Sequence, residues 1–151
     1  MDGRHWPDIA GRIEEGRHIL PVRVYYEDTD FSGIVYHANY LKFMERGRSD
    51  FLRLLGVHHT ELAGSEEGAP DVAFVVRHME IDFRAPARID DVLTITTWTR
   101  EIRGARFFLD QTVSRGGDIL VAAAVMAAAI DPRGRPMRLP ADMRRKLEIP
   151  S

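Results

Sequence analysis

The chain has 151 residues, with 21 basic against 23 acidic side chains, a formal net charge of −2 and a pI near 6.3. That length is the size of one domain, and the charge balance excludes a general nucleic-acid binder. The lack of cysteine excludes disulfide staples, thiolate chemistry and cysteine-held zinc.

No run approaches the 18 or so apolar residues of a membrane span. The N-terminal stretch lacks the apolar core of a secretory signal, so a cytoplasmic chain is expected. Residues 1–17 are polar and glycine-containing. They are expected to form a flexible tail, with room for a short helix around Ile9–Glu15. A single domain is expected over 18–147. His18–Glu27 reads as a strand carried by Ile19, Val22, Val24 and Tyr26, with Pro21 near its start, where proline is tolerated. An acidic loop follows, Glu27-Asp28-Thr29-Asp30-Phe31-Ser32-Gly33.

From about Asn39 the period becomes helical. Tyr40, Phe43, Met44, Gly47, Phe51, Leu54 and Leu55 form one apolar stripe, with Asn39 as a fair N-cap and Gly56 as a fair residue beyond the C-cap. Gly47 lies inside that stripe, where glycine costs about 1 kcal/mol of helix propensity relative to alanine. Close approach of the helix backbone to a sheet is the expected offset. After a polar connection the period falls to two, and Val72–Phe83, Val92–Arg103, Arg106–Ser114 and Ile119–Ile130 read as strands. Short glycine-bearing turns at 103–106 and 115–118 favour antiparallel hairpins. The alanines of the last segment prefer a helix on propensity alone. Its Gly-Gly and Asp-Pro boundaries favour a strand whose small residues admit another layer. A last helical turn is expected at Ala141–Leu147. One early helix followed by a run of strands indicates an α+β domain, with an antiparallel sheet wrapped on the helix.

The acidic loop matches the first half of a calcium-binding EF-hand loop, but its twelfth position is Asn39 rather than glutamate, and a strand precedes it. The Asp-x-Asp pair also suits an aspartate-dependent phosphatase, yet that chemistry needs a parallel α/β sheet. Asp28 fits a turn cap. Asp30 stands closer to His37 and to the helix start, where free N–H donors and partial positive charge can polarise a carbonyl. His58, His59 and His78 show no metal-ligand spacing, so no metal site is expected.

Tyr25–Asp30, Gly33–Leu41, Met44–Arg48 and Met79–Leu93 together resemble the signature of hotdog-fold acyl-CoA thioesterases. The resemblance is to the YbgC-type branch associated with the Tol-Pal envelope system, related to 4-hydroxybenzoyl-CoA thioesterase, and it spans about Leu20 to Leu139. It implies a five-stranded antiparallel sheet around one central helix. It also implies a homodimer or homotetramer with sites between subunits, and no metal or redox cofactor.

The catalytic residues it implies are Asp30, as general base or nucleophile, and His37, whose backbone N–H would polarise the thioester carbonyl. Phe31, Gly33, Tyr36 and Asn39, with Arg103 and Arg106 for the nucleotide, are the implied substrate contacts. Asp28 is given a supporting role. Phe31-Ser32 departs from the small residues usual there, which points to a reshaped acyl entrance. Acyl carrier protein is an alternative carrier of the acyl group. A non-catalytic acyl-binding or envelope-scaffold role and hydratase chemistry on the acyl chain are the rival readings.

Overall fold

A computed structural model describes residues 9–56 and 72–148. The elements in chain order are β1 (Arg12–Glu14), β2 (Arg17–Arg23), α1 (His37–Leu54), β3 (Ala73–Phe83), β4 (Val92–Arg103), β5 (Arg106–Arg115), β6 (Asp118–Ile130) and α2 (Ala141–Leu147). The strands form one antiparallel sheet in the order β1-β2-β4-β5-β6-β3, six strands where five were expected. His58 and His59 lie outside the described residues.

The extra strand replaces the short helix expected around Ile9–Glu15. A two-residue turn at Glu15-Gly16 folds β1 back onto β2, pairing Glu14 with Arg17. A buried cluster holds this edge in place: Asp50 Oδ2 on α1 accepts the Gly11 N–H at 2.8 Å and lies 2.7 Å from His18 Nε2. That cluster also turns Asp50 inward and leaves Leu54 partly exposed at the end of the stripe, reversing the expectation for Leu54.

β2 stops at Arg23, short of the expected Glu27. Its inward residues are His18, Leu20, Val22 and then Val24, so Ile19 and Tyr26 are not part of the buried face. Tyr26–Asp28 is a 3-10 turn instead, because the Asp28 carboxylate captures the Tyr25 N–H and bends the chain.

α1 buries Tyr40, Phe43, Met44, Gly47 and Phe51 against the sheet. Full burial of an apolar side chain of this size is worth about 1.5–3 kcal/mol. Gly47 is the point of closest approach, since a Cβ there would lie 2.9 Å from Ile95 Cγ2 and 3.1 Å from Thr97 Oγ1. At the same level Gln111 donates to the Met44 carbonyl and to Thr97 Oγ1, both at 2.8 Å. The expected close backbone approach is therefore present, reinforced by a buried amide.

The alanine-rich segment is a strand as expected. β6 pairs with β5 on one side and β3 on the other, so its backbone groups are spent in two ladders rather than in a helix. The 84–91 connection runs from β3 at one edge of the sheet to β4 between β2 and β5, passing the start of α1. There the Ala87 carbonyl accepts the Val35 N–H and the Ala87 N–H donates to Tyr40 Oη, both at 2.9 Å. Fully buried Ala87 is thus the clip that holds the helix N-terminus against the sheet.

Candidate active site

Residues 28–36 form a tight hairpin standing at the start of α1. Tyr36 N–H donates to the Asp28 carbonyl at 2.9 Å, Thr29 bridges Val35, and Asp30 N–H donates to the Ile34 carbonyl at 2.8 Å. The tip is Phe31-Ser32-Gly33. Gly33 adopts φ +84°, a left-handed conformation that glycine reaches without steric cost, and its N–H closes the turn on the Asp30 carbonyl.

The two aspartates have opposite environments. Asp28 is 5% exposed, and both its oxygens are spent: Oδ2 on Tyr25 N–H at 2.8 Å and Oδ1 on Asn39 Nδ2 at 2.9 Å. It ties the hairpin to the first turn of α1, a structural part in keeping with the turn cap read from the sequence. Asn39 is accordingly not the N-cap. Tyr36 holds that position, and the Asn39 amide, expected among the substrate contacts, holds Asp28.

Asp30 is exposed, and its Oδ1 accepts two hydrogen bonds from Ser32, from Oγ at 2.6 Å and from the backbone N–H at 2.8 Å. These bonds hold its carboxyl below the usual carboxylate range, the hydroxyl contact contributing most. It is ionised wherever the fold is used near neutrality.

His37 opens α1, so its N–H has no acceptor one turn back in the helix. No acidic residue occupies the first turn, and the helix dipole there is not neutralised from within the helix. The His37 ring rests on Tyr36, with centroids 4.6 Å apart, and meets the edge of Phe83 at 6.2 Å. Phe31, at the hairpin tip, is fully exposed in the single chain. The arrangement offers an ionised carboxylate and free N–H donors on one exposed ledge, the parts needed to attack and polarise a carbonyl.

Arg103 and Arg106 do not join this ledge in the same chain. They face each other across the β4–β5 hairpin, and Arg103 pairs with Glu101. The eleven steps of β4 from Val92, beside the site, to Arg103 span about 35 Å.

One part of the architecture left no trace in the sequence. A 460 Å³ cavity opens between α1 and the β3 side of the sheet, with apolar walls from Leu52, Phe74, Val76, Phe107 and Leu109. Glu45, Arg48 and Ser49 stand at its polar side. Arg48 Nη1 donates to Gln111 Oε1 at 3.0 Å, and burial pushes its proton affinity down. Ser32 was missed as a site residue too, although a serine two positions after an aspartate is a pattern that bonds locally.

Residues 32–122 match the model of the thioesterase superfamily. The chain is 43% identical over 122 residues to the acyl-CoA thioester hydrolase YbgC of Escherichia coli, covering 80% of this chain and 87% of that one. A probable thioesterase from Bartonella henselae superposes with a TM-score of 0.77 at 53% identity, over 82% of this chain and 99% of that one. A 4-hydroxybenzoyl CoA thioesterase crystallised with 4-hydroxybenzoyl CoA superposes with a TM-score of 0.78 over 87% of this chain and 99% of that one. At 24% identity, that is a likeness of fold.

Proposed function

The chain belongs to the thioesterase superfamily, and on that premise we propose that it hydrolyses an acyl-CoA thioester to the free acid and CoA. The observation that carries the site assignment is the ionised Asp30 carboxylate on a hairpin whose base is bonded to the start of α1. Asp30 acts on the thioester carbonyl in one of two ways. As general base it takes a proton from water as the water attacks; as nucleophile it attacks directly and forms an anhydride that water then opens. In both, the thiolate of CoA leaves and the His37 N–H donates to the oxyanion.

The site is composite, with parts from two chains. Among the described residues β3 pairs only with β6, so its outer backbone groups face outwards along a strand carrying exposed Val75, Val76 and Phe83. Two such edges brought together antiparallel around a twofold satisfy each other's backbone groups. The Ala73 end of one β3 then lies beside the Phe83 end of the other. That brings the cavity of one chain, lined by the Ala73 half of β3, next to His37 and Asp30 of its partner. Within one chain the same cavity and ledge lie apart along α1, since Glu45, the cavity residue nearest the helix start, stands eight residues after His37, about 12 Å. The β4–β5 hairpin with Arg103 and Arg106 lies at the Ala73 end as well, since Arg106 pairs with Ala128 and Ala73 with Ile130. It too approaches the partner's ledge, where its arginines meet the phosphates of the CoA nucleotide.

Mixing two inactive variants tests this. Asp30→Asn removes the carboxylate, and Ser49→Trp fills the cavity from α1 without touching the β3 edge. After subunit exchange, half the dimers are mixed and each has one intact site, so activity recovers to roughly a quarter of wild type. Full activity of Ser49→Trp alone, or no recovery once mass spectrometry shows mixed dimers, overturns the composite site. The same acyl group offered on CoA and on acyl carrier protein identifies the preferred carrier through kcat/KM.

A further inference from the structure

We infer that Ser32 is a positioning residue that locks the Asp30 carboxylate so that Oδ2 alone is presented to the thioester. The inference rests on the assignment of Asp30 as the reactive group. An exposed carboxylate beside the tip of a hairpin has open space around it and would exchange rotamers freely. Ser32 prevents this with two donors on one oxygen, the hydroxyl at 2.6 Å and the backbone N–H at 2.8 Å. The backbone beneath is fixed as well, by Asp30 N–H on Ile34 and Gly33 N–H on the Asp30 carbonyl. Oδ1 is therefore occupied, while Oδ2 carries no protein donor among the described residues. Orientation fixed before substrate arrives is worth more to an exposed group than to a buried one, because nothing else restrains it.

The remaining polar neighbours do not supply this restraint. Glu27 precedes Asp30 on the same loop, and the Asp28 carboxylate is spent on Tyr25 and Asn39. Arg88 faces Ile34 across a bridge, and His37 stands at the helix start. None forms an ion pair with Asp30 among the described residues. The Ser32 hydroxyl is also the largest cause of the lowered proton affinity of Asp30. The sign follows: with the hydroxyl gone the folded-state pKa rises, protonated and inactive Asp30 persists to higher pH, and the acid limb of kcat/KM moves up.

The experiment compares Ser32→Ala and Ser32→Thr with wild type and with Asp30→Asn, measuring kcat, KM and the pH profile of an acyl-CoA hydrolysis. Ser32→Ala is expected to lower plateau kcat about tenfold with KM unchanged, and to move the acid limb upwards. Ser32→Thr, which keeps the hydroxyl, restores both. Wild-type kcat and an unmoved acid limb in Ser32→Ala overturn the inference, as does a Ser32→Thr variant no better than alanine. If Asp30→Asn itself keeps wild-type turnover, the fault lies in the Asp30 assignment. If it is inactive while Ser32→Ala is normal, only the role of Ser32 falls.

Discussion

Asp30→Asn is expected to lower kcat on an acyl-CoA by about 10²–10⁴-fold, the range supplied by a positioned acid/base group. The amide has the shape of the carboxylate, and both Ser32 donors still find an oxygen at its Oδ1 position. It has no lone pair basic enough to take a proton from water and no anionic oxygen to attack the thioester. Asp30 is exposed and asparagine keeps an oxygen for both Ser32 donors, so the variant is expected to fold as wild type does. The variant should show wild-type melting, unchanged mass by light scattering, and KM close to wild type. Turnover within tenfold of wild type would mean that another group performs the chemistry.

Gly47→Val should have the largest effect on stability. A Cβ at this position already meets Ile95 Cγ2 at 2.9 Å, Thr97 Oγ1 at 3.1 Å and Gln111 Nε2 at 3.3 Å. All three residues are buried in the sheet, and the valine methyls reach further than the Cβ. Overpacking of this kind costs about 1–3 kcal/mol. Pushing α1 outwards also breaks the Gln111 bond to the Met44 carbonyl, and a buried polar group left unpaired adds about 1–3 kcal/mol. The gain in helix propensity is under about 1 kcal/mol and cannot offset both. A fall in melting temperature of roughly 10 °C is expected for a chain of this size. Gly47→Ala separates the two effects, because it gains about 1 kcal/mol of propensity with a single added carbon. If alanine stabilises the protein, the sheet yields at this point and the packing argument fails.

The helix was legible because the period of apolar residues records which face is buried, whereas residues 28–36 were legible only as an acidic loop. The strand boundaries from Ala73 to Ile130 followed from alternation and glycine turns in the same way. The errors fall where side chains answer to partners distant in sequence. Residues 12–14 gave no strand signal, and their place is fixed by Gly11 and His18 meeting Asp50, more than thirty residues away. Asn39 looked like a cap because caps are local, yet its amide serves Asp28 across the hairpin. Asp30 and His37 stood out through their setting. Ser32 passed as a departure from pattern, although its hydroxyl bonds the Asp30 carboxylate.

By itself, then, the sequence determined an α+β chain with one central helix, an exposed acidic turn before it, and a glycine where the two layers touch. These depend on local propensity and periodicity, which every residue carries with it. The tertiary structure decided the strand order, which moved β3 to the open edge of the sheet. It also decided the cavity beneath α1, and the separation of Arg103 and Arg106 from Asp30 within one chain. Backbone hydrogen bonds between strands are the same whatever the side chains, so the order in which strands neighbour one another leaves little mark on composition or period.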